Sequence, residues 1–273
     1  KAAGIDWTTD KSPLYRADGS EIKGRFELHT STGTTLDIVG NDYRPTQNAH
    51  VMEFFNDLVR KGDATMETMG SLQQGKIVWA MAALNEGFTL PGGDAVRGYL
   101  FIGSPHMRGR SLIARVTQVR DVCNNTIQVA LRLGHHGVGD VFRMNHRNEF
   151  TPIQQQKAKE VLGVAREQVQ DFEKVAKKLR ATKVNDDRAH ELFTKLFAKD
   201  PDSESRKVAQ LVDAYHNAPG ALPGNAWGVL NAVTYYTDHM AGKSSDRRLT
   251  MAWTGRNAAK KVEALDLLRN LAA

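Results

Sequence analysis

The sequence predicts an α+β protein. Its expected core is a curved antiparallel sheet in the order ββ-α-ββ-ββ-α-β, backed by helices and followed by a helical C-terminal region. Three observations carry that reading. Apolar and polar residues alternate over short runs through residues 1–150. Turn residues join those runs closely enough for hairpins, which argues against a parallel sheet with crossovers. From Thr151 onward the apolar period lengthens to that of a helix. The expected division is a sheet domain at 1–150 and a helical region at 151–273.

Ile22, Phe26 and Leu28 share one phase, Ser31-Thr32-Gly33 supplies a turn, and Leu36 and Ile38 continue in a second strand. Val51, Phe54, Phe55, Leu58 and Val59 then fall at helical spacing, with Lys61-Gly62 as the stop. A second hairpin joins Thr65–Leu72 to Lys76–Leu84 around Gln73-Gln74-Gly75. After a loop from Gly87 to Asp94 come two more strands, RGYLFIGS and SLIARVTQVR. Asn124-Asn125 can cap a short helix from Thr126 to about Leu133, and Val141 to His146 reads as the last strand. Thr151-Pro152 opens a helix whose apolar stripe runs from Val161 through Phe172 to Leu179. Shorter helices follow around Leu192–Phe197 and Val208–Tyr215. An apolar segment runs from Trp227 to Tyr236, and a last helix from about Arg256 to Leu271.

The chain has 273 residues, a net charge of +6 and a pI near 9.4, a balance that favours a polyanionic partner. The one cysteine, Cys123, excludes an internal disulfide framework and reads as a buried, inert thiol. No apolar run reaches the ~18 residues of a membrane span. No signal-peptide pattern opens the chain, and its start at Lys1 points to a few leading residues outside the sequence. The expected location is the cytoplasm of a bacterial host.

The most informative stretch is the arginine-bearing pair of strands. Between Arg97 and Arg120 lie Arg97, Arg108, Arg110, Arg115 and Arg120, without one acidic residue. Tyr99 and Phe101 alternate in phase with Arg97. Guanidinium groups take phosphates, and rings offer bases a stacking surface, so this pattern suits single-stranded nucleic acid. The competing reading turns Tyr99 and Phe101 toward the core. Arg143 and Arg147 extend the basic set, and His135 and His136 lie in a glycine-rich stretch suited to phosphate contact. A metal site at His135, His136, Asp140 and His146 is the alternative there, although no H-x-x-x-H spacing supports it. Arg247 and Arg248, with Lys243, Arg256, Lys260 and Lys261, form a second basic cluster; it reads first as a solvated helix face with core aromatics nearby, and alternatively as a second surface for DNA or a subunit. Phosphate-loop and nucleophile-elbow signatures are absent, so no cofactor and no NTPase chemistry is expected.

Several landmarks carry a family resemblance. They are Val39-Gly40-Asn41-Asp42-Tyr43, Gly70-Ser71-Leu72 leading into Val78-Trp79, Asp121-Val122-Cys123-Asn124-Asn125-Thr126, Asn145-His146-Arg147, and Asn225 through His239. Together they resemble a family of phage- and plasmid-encoded proteins of unassigned function, over roughly Phe26 to the C-terminus. The order of hairpins and helices is also similar, more faintly, to single-strand annealing proteins of the RecT and Erf type. That likeness implies a homo-oligomer, a ring or filament, holding single-stranded DNA during recombination or replication. The function expected is sequence-independent binding of single-stranded DNA with strand annealing, without covalent chemistry. Two alternatives stand beside it: a metal-dependent nuclease, and an interaction protein such as a host-defence antagonist or particle component.

Overall fold

Alternation in the first forty residues closes as a three-stranded meander. In the computed structural model, which describes residues 4–60, 64–120, 125–127, 141–163, 165–198, 206–242 and 244–273, strands β1 (Thr9–Tyr15), β2 (Glu21–Thr30) and β3 (Thr35–Gly40) pair antiparallel in that order. Leu28, Leu36, Val39 and Tyr43 form its core, with Trp7 and Phe26 packed against it. Ile38, expected inside with Leu36, is exposed instead, and Val39 takes the inward place. β1 was not expected. Its sequence TDKSPLY has no apolar alternation, and Pro13 is tolerated because the strand pairs on one side alone.

Helix α1 (Asn48–Leu58) follows, burying Val51, Phe54 and Phe55 as its spacing predicts. The second sheet has six strands in the path β4 (Ala64–Leu72), β5 (Ile77–Leu90), β6 (Asp94–Pro105), β7 (Ser111–Arg120) and β8 (Asn125–Ile127), with β9 (Val141–Asn145) also on β7. The strands therefore divide between two antiparallel sheets rather than filling one. β8 and β9 pair antiparallel with opposite ends of β7, through Arg120↔Asn125 and Ser111↔Asn145. Thr126 and Ile127, expected to begin a helix, are strand residues because they pair with Val119 and Gln118. The rest of that expected helix lies outside the described residues. The loop foreseen from Gly87 to Asp94 is also shorter, since β5 runs to Leu90 and β6 begins at Asp94.

The remaining chain is helical: α2 (Pro152–Gly163), α3 (Ala165–Ala181), α4 (Asp186–Phe197), α5 (Arg206–Asn217), α6 (Ala226–Tyr235), a π-helical turn at Tyr236–Met240, α7 (Ser245–Thr254) and α8 (Arg256–Leu271). Side chains of Asn185, Asn225 and Ser244 cap α4, α6 and α7. Gly228 in α6 is there for space. A Cβ on it would lie 2.0 Å from the Leu222 carbonyl oxygen, so any larger residue would force the backbone apart. No described helix is long and apolar enough to cross a membrane.

Contacts sort the chain into two compact units. The first holds Lys1–Asn85, Tyr99–Val116 and Arg132–Ala165; the second holds Glu86–Gly98, Thr117–Leu131 and Arg166–Ala273. Residue 150, the expected boundary, thus falls inside the first unit. The second unit is built on Trp227, wholly buried and 6.0 Å from the Phe172 ring, which in turn lies 6.0 Å from Phe88. Buried ion pairs brace that unit, among them Arg120 with Asp94 and Lys261 with Asp238.

Candidate nucleic-acid interface

The expected basic strand pair splits into three groups of side chains. Tyr99 and Phe101 are buried, so neither ring is available to stack on a base. β6 lies between β5 and β7, and every residue from Gly98 to Pro105 is buried, so sequence parity does not mark a wet face here. Tyr99 Oη donates to Glu67 Oε2 at 2.9 Å. Phe101 lies under Arg115, whose guanidinium carbon is 5.3 Å from the ring centroid. Burial, with the charge of Arg143 added, pushes the Arg115 pKa down to about 10, leaving it a cation at neutral pH.

Arg120 also leaves the expected surface. It is 2% exposed and ion-paired with Asp94, and its Nη2 donates to the Gly220 carbonyl at 2.6 Å. Trp227 Nε1 donates to the other oxygen of Asp94 at 2.7 Å. The role of Arg120 is to hold the second unit together. Arg97 is exposed, in that same unit. Arg247 is exposed and Arg248 half-buried on α7. His135, His136 and Asp140 lie outside the described residues. Among the described ones no group of three or more His, Cys, Asp or Glu side chains could hold a metal ion.

What remains is a cluster at one end of the first unit. Arg108 and Arg110 flank Gly109, whose φ of +70° turns the chain between β6 and β7. The Ser111↔Asn145 register brings that turn alongside Asn145-His146-Arg147 at the end of β9. Arg44 joins them, because its backbone N–H donates to the His146 carbonyl at 2.5 Å. Arg143 stands on β9 two residues before Asn145. Arg44, Arg108, Arg110, Arg143 and Arg147 are all exposed, and none is ion-paired among the described residues. Arg44 was missed in the sequence because it stands alone between Tyr43 and Pro45. The neighbouring landmark Asn41-Asp42-Tyr43 was the one signal pointing there.

Polar and ring contacts set this cluster in place. Asp37 Oδ2 accepts the Arg108 backbone N–H at 2.8 Å, and its Oδ1 accepts that of Ile38 at 2.8 Å, which pins the arginine turn to β3. The Tyr43 and His146 rings stack 4.8 Å apart at 20°, and each immediately precedes an arginine of the cluster, Arg44 and Arg147. His106 packs edge-on to Trp7 and hydrogen-bonds through Nε2 with Asn48 Oδ1 at 2.9 Å. Asn48 Nδ2 reaches back to the carbonyls of Ile5 and Trp7. Burial, with His146 adding to it, lowers the His106 pKa to about 3, so the folded chain keeps that ring neutral. Its contribution to stability is complete above the ordinary value near 6.5 and is lost as pH falls from there toward 3. The loss amounts to about 1.4 kcal/mol per pH unit for this one group. Urea midpoints should therefore drop between pH 7 and pH 5, and His106→Gln should flatten much of that slope.

A family model, the domain of unknown function DUF932, matches residues 35–268. The chain belongs to the DUF932 family. The resemblance seen in the sequence holds at that level, a family without an assigned function. Searches of curated proteins and of solved structures gave no match. The DUF932 match takes in all five arginines of the cluster and leaves the whole of β1 and β2 outside it.

Proposed function

We propose that this DUF932 protein binds single-stranded DNA without sequence preference, through the phosphate backbone, at the rim formed by Arg44, Arg108, Arg110, Arg143 and Arg147. One observation carries the reading: five exposed guanidinium groups from three chain segments meet at one end of a unit, and among the described residues no carboxylate is ion-paired with any of them. Such a group of like charges is held at an energetic cost unless an anion sits against it, and guanidinium forks match phosphate oxygens bidentately. Burial of Tyr99 and Phe101 removes the stacking rings first expected, so the reading rests on phosphate contacts alone. Arg247 and Arg248 on the second unit offer a further contact with the same chemistry. Strand annealing by a homo-oligomer, in the cytoplasm of a bacterial host carrying the phage or plasmid, is the setting we assign to it. The resemblance to phage- and plasmid-encoded proteins supports that assignment.

A titration of a labelled 30-nucleotide single strand against the protein at several salt concentrations tests the proposal. Five phosphate contacts on a single strand predict that log affinity falls with log salt at a slope of about −3.5. Absence of binding at low salt would remove the proposal. Tighter binding to a duplex of the same length would redirect it to double-stranded DNA.

A further inference from the structure

The hairpin tip between β4 and β5 has an unusual backbone. Gln73, Gln74 and Gly75 all have positive φ, at 53°, 57° and 90°. A Lys76 N–H bond to the Gln73 carbonyl closes the tip at 3.3 Å. Left-handed backbone is nearly free for glycine and easy for asparagine, but strained for glutamine. A tip that served only as a connection would be more stable as Asn-Gly. Gly75 is required: a Cβ on it would sit 3.1 Å from the Trp7 ring. No such packing calls for glutamine at position 74, where the side chain is exposed.

The tip also stands beside the arginine rim. The Lys76 carbonyl accepts the His106 N–H at 2.7 Å, two residues before Arg108. A Cβ on Gly75 would touch Leu36 at 3.7 Å, and Asp37 next to it accepts the Arg108 N–H. An amide side chain, on strained backbone, is thereby presented at the border of a cationic surface. We infer that Gln74 is a nucleobase-contacting residue: its carboxamide, both donor and acceptor, hydrogen-bonds to base edges of a strand whose phosphates lie on the arginines. This rests on the nucleic-acid reading of the rim. It supplies the base contact that buried Tyr99 and Phe101 do not.

The test uses the full chain, a 30-nucleotide single strand carrying bases, and an abasic strand of equal length and charge. The wild-type protein is expected to prefer the base-carrying strand about fivefold, the worth of one hydrogen bond. Gln74→Gly should raise the melting temperature by about 2–4 °C through relief of strain, yet bind both strands alike, at the wild-type affinity for the abasic one. Gln74→Asn, which keeps the amide and tolerates the backbone, should retain the preference and also raise the melting temperature. Opposed movements of stability and binding are the signature, since a purely structural turn would gain stability and bind unchanged. Equal binding of both strands by the wild type, or a preference that survives in Gln74→Gly, overturns the inference while leaving the rim in place. Failure of the wild type to bind either strand overturns both.

Discussion

Asp94→Ala is expected to cost about 3–5 kcal/mol of folding stability, the largest single-residue loss anticipated in this chain. Removing the carboxylate takes one buried counter-charge from Arg120, which is 2% exposed and cannot turn to water. It also deprives Trp227 Nε1 of the acceptor it reaches at 2.7 Å. Breaking a buried pair from one side is far more damaging than the absence of the whole pair, because apolar residues of similar size replace such pairs with little loss. The double variant Asp94→Leu with Arg120→Met should therefore recover most of the deficit. Urea unfolding of the three proteins checks this, and a loss below about 1 kcal/mol for Asp94→Ala would mean that the pair is wetter than the structure indicates.

The second large effect concerns binding. Arg108→Ala, Arg110→Ala and Arg147→Ala combined should weaken binding of a single-stranded oligonucleotide about a hundredfold at low salt, at roughly 1 kcal/mol for each lost phosphate contact. The salt slope should shrink by about 2. All three residues are exposed and free of ion pairs among the described residues, so stability should stay within about 0.5 kcal/mol. Affinity and melting temperature measured on the same preparation separate lost contacts from lost folding. An unchanged affinity would place the nucleic-acid contact elsewhere.

Local pattern and turn chemistry made much of the fold legible. The turn at Gln73–Lys76, the stripe of α1 and the span Arg256–Leu271 of α8 all follow from spacing and punctuation. Helix α7 was not foreseen, since its sequence SDRRLTMAWT starts in charge and carries no clear stripe. The arginines were visible as a charge excess, but their sorting into rim and interior was not. Arg120 finds Asp94 26 residues back, and Asp94 finds Trp227 133 residues ahead, distances over which no periodicity reports. Tyr99 and Phe101 misled because alternation separates inside from outside only where one sheet face meets water, and β6 is buried through both of its parities from Gly98 to Pro105. Arg44 was hidden for the converse reason: an isolated residue in a loop has no pattern to belong to.

Asn48 reaches the carbonyls of Ile5 and Trp7, and the Gln47 amide clasps both main-chain groups of Thr9, at 3.0 and 2.8 Å. Those partners all precede residue 35, where the match to the DUF932 family model begins. A chain trimmed to residues 35–268 would thus strand the two amides that open α1 and, by removing Trp7, Phe26 and Leu28, uncover Leu36, Val39 and Tyr43. The folding module here is larger than the stretch the family model matches.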